Sequence, residues 1–214
     1  MKKAVYKLLS VVFAWHLFSC KSVVTVQKKG LYDAVENNLS SSEPTEIPIY
    51  SEYMDKFSWV SPEPTCVDLK VNQEKALSGK NSIHLKWDKI TGGCKWLGVG
   101  FGAGNWSTKD FSDKTSNMAL QLQVRAAKGS FKNLPVAFAF EDNFGVQCYY
   151  GFRLEQASGI FTDSTWTAVT IPLSKFDFKG NQFNLEKITQ FIIQLEADGD
   201  IYLDNIKFIA LKNG

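Results

Sequence analysis

Histidine is nearly absent from this 214-residue chain, which has only His16 and His84. The sequence also has no C-x-x-C and no H-E-x-x-H, so nothing in it suggests a zinc site. It has no P-loop, no dinucleotide fingerprint and no Ser-His-Asp arrangement, which removes the commonest nucleotide and acyl-transfer chemistries. No apolar run reaches the roughly 20 residues that a bilayer-spanning helix needs. The formal charge is only +2, and much of the Lys excess lies in the first thirty residues. A basic stripe for neutralising phosphates is therefore missing, and nucleic acid is excluded as a partner. No long helical period and no internal repeat interrupt what remains.

What is present begins with a leader. Lys2, Lys3 and Lys7 precede an apolar run from Leu8 to Phe18, the layout of a signal peptide. The run ends in Leu17-Phe18-Ser19-Cys20, which resembles a bacterial lipobox. The small residue usual before the final pair is replaced by Phe18. The motif implies cleavage after residue 19, diacylation of Cys20 and a lipid anchor as the only membrane contact. Residues 20–46 include Asn37-Asn38-Leu39-Ser40-Ser41-Ser42-Glu43-Pro44 and read as a flexible tether. The expected location is the outer membrane or cell surface of a bacterium. Lys21-Ser22-Val23 lacks an acidic run that would favour the outward face. Export permits disulfides. Cys66 and Cys94 both lie where strands meet loops and are expected to pair, leaving Cys148 as a buried thiol.

From Ile47 to Leu211 the chain alternates with period two. Ile83, Leu85 and Trp87 share one side of a strand, as do Leu120, Leu122 and Val124, and Val136, Phe138 and Phe140. Further segments run 147–154, 166–173, 191–196 and 201–208, with a helix-like turn near Asn184 to Lys187. Hydrophobic residues at 44% supply the core. Many half-buried strands separated by Gly, Asn, Asp and Ser predict an all-β, antiparallel two-sheet jelly-roll sandwich. Trp59, Trp87 and Trp166 read as core.

The outward residues carry the functional reading. If Leu120, Phe138, Tyr150 and Ile193 face the core, then Gln121, Gln123, Arg125, Glu141, Gln147, Tyr149, Arg153, Gln194 and Glu196 face away from it, and they share one sheet if their strands are neighbours. Planar hydrogen-bonding groups beside an aromatic ring suit a sugar, which offers hydroxyls in a plane and apolar C–H faces. A solvated sheet face would favour the same residue types. Leu97, Val99 and Phe101 alternate with glycines, and glycine in a strand marks something approaching the backbone closely. That object is either a ligand ring or a packed side chain such as Trp106, which lies in a loop and is itself either a sugar contact or a lid on the core.

Three motifs resemble a known family. Ala76-Leu77-Ser78-Gly79-Lys80-Asn81-Ser82-Ile83 is similar to the turn-into-strand of jelly-roll carbohydrate-binding modules with the galactose-binding-like fold. Residues 166–176, with Trp166, Ile171-Pro172-Leu173 and Phe176, and Ile201 to Phe208 resemble two later segments of the same modules. The complex I intermediate-associated protein family shares these segments. The resemblance implies polysaccharide or oligosaccharide binding. It also implies a structural Ca²⁺ held by Glu52, the backbone oxygen of Lys80, and Asp204, oxygen donors that suit this ion.

Three function classes follow: a non-catalytic glycan-binding lipoprotein, with a glycan-uptake complex as partner; an envelope structural or protein-interaction lipoprotein; and a polysaccharide lyase or glycosidase. A lyase needs a cation to neutralise a uronate, from Arg125 or Arg153, and a group such as Tyr149 to act on the proton. A glycosidase needs two carboxylates about 5–10 Å apart, and Glu141 and Glu196 are the only outward acids on expected strands. His84 reads as a surface imidazole. The first class fits the residues best.

Overall fold

A computed structural model of the chain describes residues 46–54, 58–63, 65–102, 108–151, 160–180 and 182–211. The leader, Cys20, the tether up to residue 45, Trp106 and Arg153 lie outside the described residues. The strands are β1 (Glu46–Tyr50), β2 (Trp59–Val60), β3 (Val67–Asn72), β4 (Ser82–Asp88), β5 (Leu97–Gly102), β6 (Met118–Ala126) and β7 (Ser130–Phe131). They continue with β8 (Val136–Asp142), β9 (Gln147–Gly151), β10 (Phe161–Thr162), β11 (Thr167–Pro172), β12 (Ile188–Leu195) and β13 (Asp198–Ala210). Two short 3-10 turns, Leu173–Lys175 and Leu185–Lys187, complete the described elements. The second is the helix-like turn expected near Asn184, whose side chain caps it by accepting from the Glu186 N–H.

Every pairing is antiparallel. One sheet, here the back sheet, has the order β11-β6-β13-β4-β3, with β1 also on β13. The front sheet has the order β2-β5-β12-β8-β9. The alternation read from the sequence is what holds the two together. Ile83, Leu85, Trp87, Leu120, Leu122, Val124, Ile201 and Leu203 face inward from the back sheet; Leu97, Val99, Phe101, Phe138, Phe140, Phe191 and Ile193 meet them from the front. Phe140 lies in the middle of this layer, with ring contacts to Phe111, Phe176, Phe178, Phe191 and Phe208. Such interdigitation of two inner faces is the packing of a β-sandwich.

The expected disulfide is present: Cys66 and Cys94 are joined, and Cys148 is free and buried. Burial pushes the Cys148 thiol up to about 11, so it behaves as a small apolar core group at neutral pH.

Two expectations need correction here. Gln121, Gln123 and Arg125 do not share a sheet with the other outward residues. Their strand β6 pairs with β11 and β13, on the back sheet. Period two fixes which residues of a strand point together, but it carries no information about which sheet the strand joins. On the back face, Gln121 bonds Thr170 and Arg125 donates to the Asp163 carbonyl. Trp59 and Trp166 are also not core: both are half-buried, whereas Trp87 is fully buried. His84 stacks on Tyr202 on the back face, with ring centroids 4.6 Å apart, and bonds Asp200.

Candidate functional site

The outer face of the front sheet is a grid whose rows follow from register. One row reads Gly98, Gln194, Ala137, Gly151; the next Gly100, Ile192, Ala139, Tyr149; the third Gly102, Gln190, Glu141, Gln147. Rows lie about 7 Å apart along the strands, and columns about 4.8 Å apart across them.

Two glycines of β5, Gly98 and Gly100, are occupied. A Cβ on Gly100 would sit 2.1 Å from Nε1 of Trp59, and one on Gly98 would sit 2.7 Å from Cη2 of Trp96. The rings therefore lie flat on bare backbone, stacked beside each other with centroids 5.9 Å apart and planes at 27°. Of the two readings open for this glycine strip, the packed side chain holds, and the side chains are Trp59 and Trp96. Trp96 keeps 39% of its surface exposed.

Both rings are fixed by local chemistry. Trp59 sits opposite Gly100 because Ser61 clamps β2 to β5: its N–H donates to the Gly98 carbonyl at 2.9 Å, and its hydroxyl accepts from the Gly98 N–H at 2.7 Å. Trp96 follows a loop tied by the Cys66–Cys94 bridge. The Asp198 carboxylate accepts from the Ile90 N–H and the Thr91 hydroxyl of the same loop. On the far side, Tyr149 is 41% exposed. The β8–β9 turn places it, with Asp142 accepting from the N–H groups of Phe144 and Val146 and Gly145 adopting a φ of 78°.

Two hydrogen-bonded relays cross this face. In the first, the Trp59 indole N–H donates to Gln190 Oε1 at 2.6 Å, and the Gln190 amide donates to Glu141 Oε1 at 2.6 Å. Gln147 donates to the other Glu141 oxygen, and the Tyr149 hydroxyl donates to Gln147. In the second, Trp96 donates to Gln194 at 3.0 Å, Gln194 donates to Glu196, and Lys89 donates to Glu196 at 3.0 Å. Burial, with the charges of Glu141 and Glu196 adding, raises the Tyr149 hydroxyl above its ordinary range. Burial pushes Glu196 upward too, but the bonds from Lys89 and Gln194 outweigh it and hold the carboxyl below its ordinary value. Between the relays lie Ile192 and Ala139, both buried. The result is an apolar floor walled by aromatic rings and edged by amides and carboxylates.

Of the expected sugar contacts, the fold brings together Glu141, Gln147, Tyr149, Gln194 and Glu196, and it removes the three from β6. Sequence reasoning missed Trp59, Trp96 and Gln190. For Trp96 a signal existed: it stands two residues before Gly98, immediately ahead of β5, where a strand's alternation would put both on one side. For Trp59 none did, since its glycine is 41 residues away, across a sheet pairing.

Arg125 and Tyr149 lie on opposite outer faces of the sandwich, so the lyase pairing that uses Arg125 is not formed; its alternative, Arg153, lies outside the described residues. The carboxyl groups expected for hydrolysis are both engaged in the relays.

The residues expected to hold calcium form a second cluster, at the edge of the back sheet. Glu52 accepts from the N–H groups of Lys80 and Asn81. The fully buried Asp204 accepts from those of Leu77, Ser78 and Asn205. A bulge in β13, with Asn205 at a φ of 47°, aims Asp204 at this loop. Gly79 is required twice: its φ is 64°, and a Cβ there would lie 1.2 Å from a Glu52 oxygen. Two oxygens nearby, Asn81 Oδ1 and the Tyr50 hydroxyl, are buried without a hydrogen-bond partner. Two carboxylates with two unpaired oxygens fit a hard cation. Lys80 meets Glu52 through its N–H.

Comparison with known proteins agrees with this geometry. A family model described as carbohydrate binding domain 30 matches residues 46–210. Among solved structures, the family 30 carbohydrate-binding module of the cellulosomal cellulase Cel9D-Cel44B of Clostridium thermocellum is similar. It has a TM-score of 0.64 and 16% identity, over 78% of this chain and 99% of that one. Another family 30 module gives 0.63 and 16%, over 79% and 89%. An exo-β-agarase gives 0.54 and 9%, over 78% of this chain and 25% of its own. No curated protein matches the chain. The structural likenesses establish the antiparallel sandwich. With the family model spanning every described strand, the chain belongs to family 30 of the carbohydrate-binding domains, and this domain is a non-catalytic carbohydrate-binding module.

Proposed function

We propose that a neutral polysaccharide lies across the outer face of the front sheet, stacked on Trp59 and Trp96 and bounded by Tyr149. The observation that carries this reading is the pair of indole rings laid flat on Gly98 and Gly100. Flat rings on a sheet offer their faces outward, and sugar C–H faces pack on such surfaces while hydroxyls reach the flanking amides. Trp59 and Tyr149 stand over columns three strands apart, about 14 Å, so several sugar units span the floor. The relative from a cellulosomal cellulase makes β-glucans the first ligands to try. Isothermal titration with cellohexaose, xylohexaose, mixed-linkage β-glucan and agaro-oligosaccharides tests the proposal. Binding of at least one is expected; silence from all of them refutes it and favours the envelope-structural reading.

The leader and lipobox support an exported, lipid-anchored protein whose tether holds the module off a membrane, in the service of glycan uptake. The mass of the mature N-terminus checks the anchor: a diacylated Cys20 supports it, and an unmodified chain contradicts it.

The Glu52–Asp204 cluster supports a bound Ca²⁺, with Asn81 and Tyr50 as further oxygens. Burial raises the Asp204 carboxyl above its ordinary value, with the Glu52 charge adding and the N–H donors opposing. A carboxyl raised by folding contributes stability that is fully present below its ordinary titration range. Without the ion, then, stability declines as pH rises through the raised value toward neutrality. A cation restores it there. At pH 7 and 100 times its Kd, Ca²⁺ should add about 2.7 kcal/mol. That is roughly 5–10 °C in Tm, reversible by EGTA and absent in Asp204→Asn. A Tm indifferent to EGTA contradicts the site.

A further inference from the structure

We propose that Glu141 is the positioning residue of the binding face, setting the orientation of the aromatic groups at its two sides through one carboxylate. The proposal rests on the glycan reading above only for its effect on affinity.

Glu141 is 8% exposed and Gln190 4%. Burying an ionised side chain is costly unless it is well bonded, so a buried carboxylate on an outer sheet face calls for specific partners. Here one carboxylate oxygen accepts from Gln190 and the other from Gln147. A carboxylate can only accept, so each amide must turn its NH₂ toward Glu141 and its oxygen away. Those outward oxygens are the ones that receive the Trp59 indole N–H and the Tyr149 hydroxyl. The polarity of the whole relay is therefore set at its centre. An amide in place of the carboxylate would lose the charge that strengthens both arms, and it would also present a donor to one of them, which would have to flip or break. The second relay runs from Trp96 through Gln194 to Glu196, with hydrogen bonds distinct from those of the first among the described residues, and serves as an internal control.

The test uses Glu141→Gln, with Gln147→Ala to cut the Tyr149 arm alone. Hydrogen exchange of the indole N–H groups is followed by NMR in the protein without sugar, beside titration with cellohexaose. In Glu141→Gln the Trp59 indole should exchange about tenfold faster. The Trp96 indole should be unchanged, as should that of Trp87, which donates to the Glu196 carbonyl from the core. Affinity should fall about tenfold. In Gln147→Ala the Trp59 indole should keep its protection while affinity falls about fivefold. A Trp59 indole as protected in Glu141→Gln as in the parent overturns the proposal, as does undiminished affinity in either variant. If the parent binds no sugar but the Trp59 indole responds, the relay stands and the glycan reading falls.

Discussion

Gly100→Ala is expected to weaken cellohexaose binding about thirtyfold while leaving the fold intact, although no ligand need touch residue 100. The added methyl would lie 2.1 Å from Nε1 and 2.2 Å from Cε2 of Trp59, which is inside any tolerable contact. The indole must lift, losing its seat and its bond to Gln190. Central interface aromatics are each worth about 2 kcal/mol or more, and 1.4 kcal/mol is tenfold, hence the magnitude. The backbone itself raises no objection, since Gly100 is not among the positive-φ glycines. Alanine there even reduces the entropy of the unfolded chain. Gly98→Ala, whose methyl would meet Trp96 at 2.7 Å, should show a smaller loss. Titration calorimetry with a melting curve for each variant checks both. Unimpaired binding in Gly100→Ala would mean that the flat seating of Trp59 is irrelevant.

This sensitivity explains why the fold was more legible in the sequence than the site. The strands announce themselves locally. Leu120, Leu122 and Val124 alternate with Gln121, Gln123 and Arg125, and burial follows that pattern along β6. Val136, Phe138 and Phe140 are buried as expected, although Ala139 and Glu141 on the opposite side of β8 are buried as well, and the Asn184 cap sits where the turn was expected. Sheet membership is a long-range property. Nothing within β6 says that it neighbours β13 rather than β12, and so three outward polar residues were placed on the wrong surface.

The binding face depends on such pairings throughout. Trp59 meets Gly100, Gln190 meets Glu141 and Tyr149 meets Ala139 only once β2, β5, β12, β8 and β9 are in register. The glycines gave the correct warning that something lies on β5. What lies there came from a two-residue strand with no alternation of its own, in which a tryptophan between Ser58 and Val60 looks like core. The disulfide was readable because both cysteines flank strand ends and the leader motif led one to expect export. The Asp204 cluster was readable only through family resemblance, since its donors are spread over segments 46–54, 77–82 and 201–206.

The two outer faces now have different roles. The back face carries His84 stacked on Tyr202, Lys75 over the same ring, and ion pairs such as Lys207–Glu46. These are self-satisfied surface contacts of modest worth. The front face instead commits two indoles and a phenol to a surface that leaves them partly uncovered, which costs solvation unless something apolar covers them.

The decisive measurement is cellohexaose titration of a Trp59→Ala, Trp96→Ala double variant beside the parent protein. Both rings are expected to act as central anchors, so their joint removal should lower affinity by more than about a hundredfold. The melting temperature should change little, because neither ring belongs to the buried core. A double variant that still binds the sugar as the parent does would place the ligand elsewhere and contradict the account.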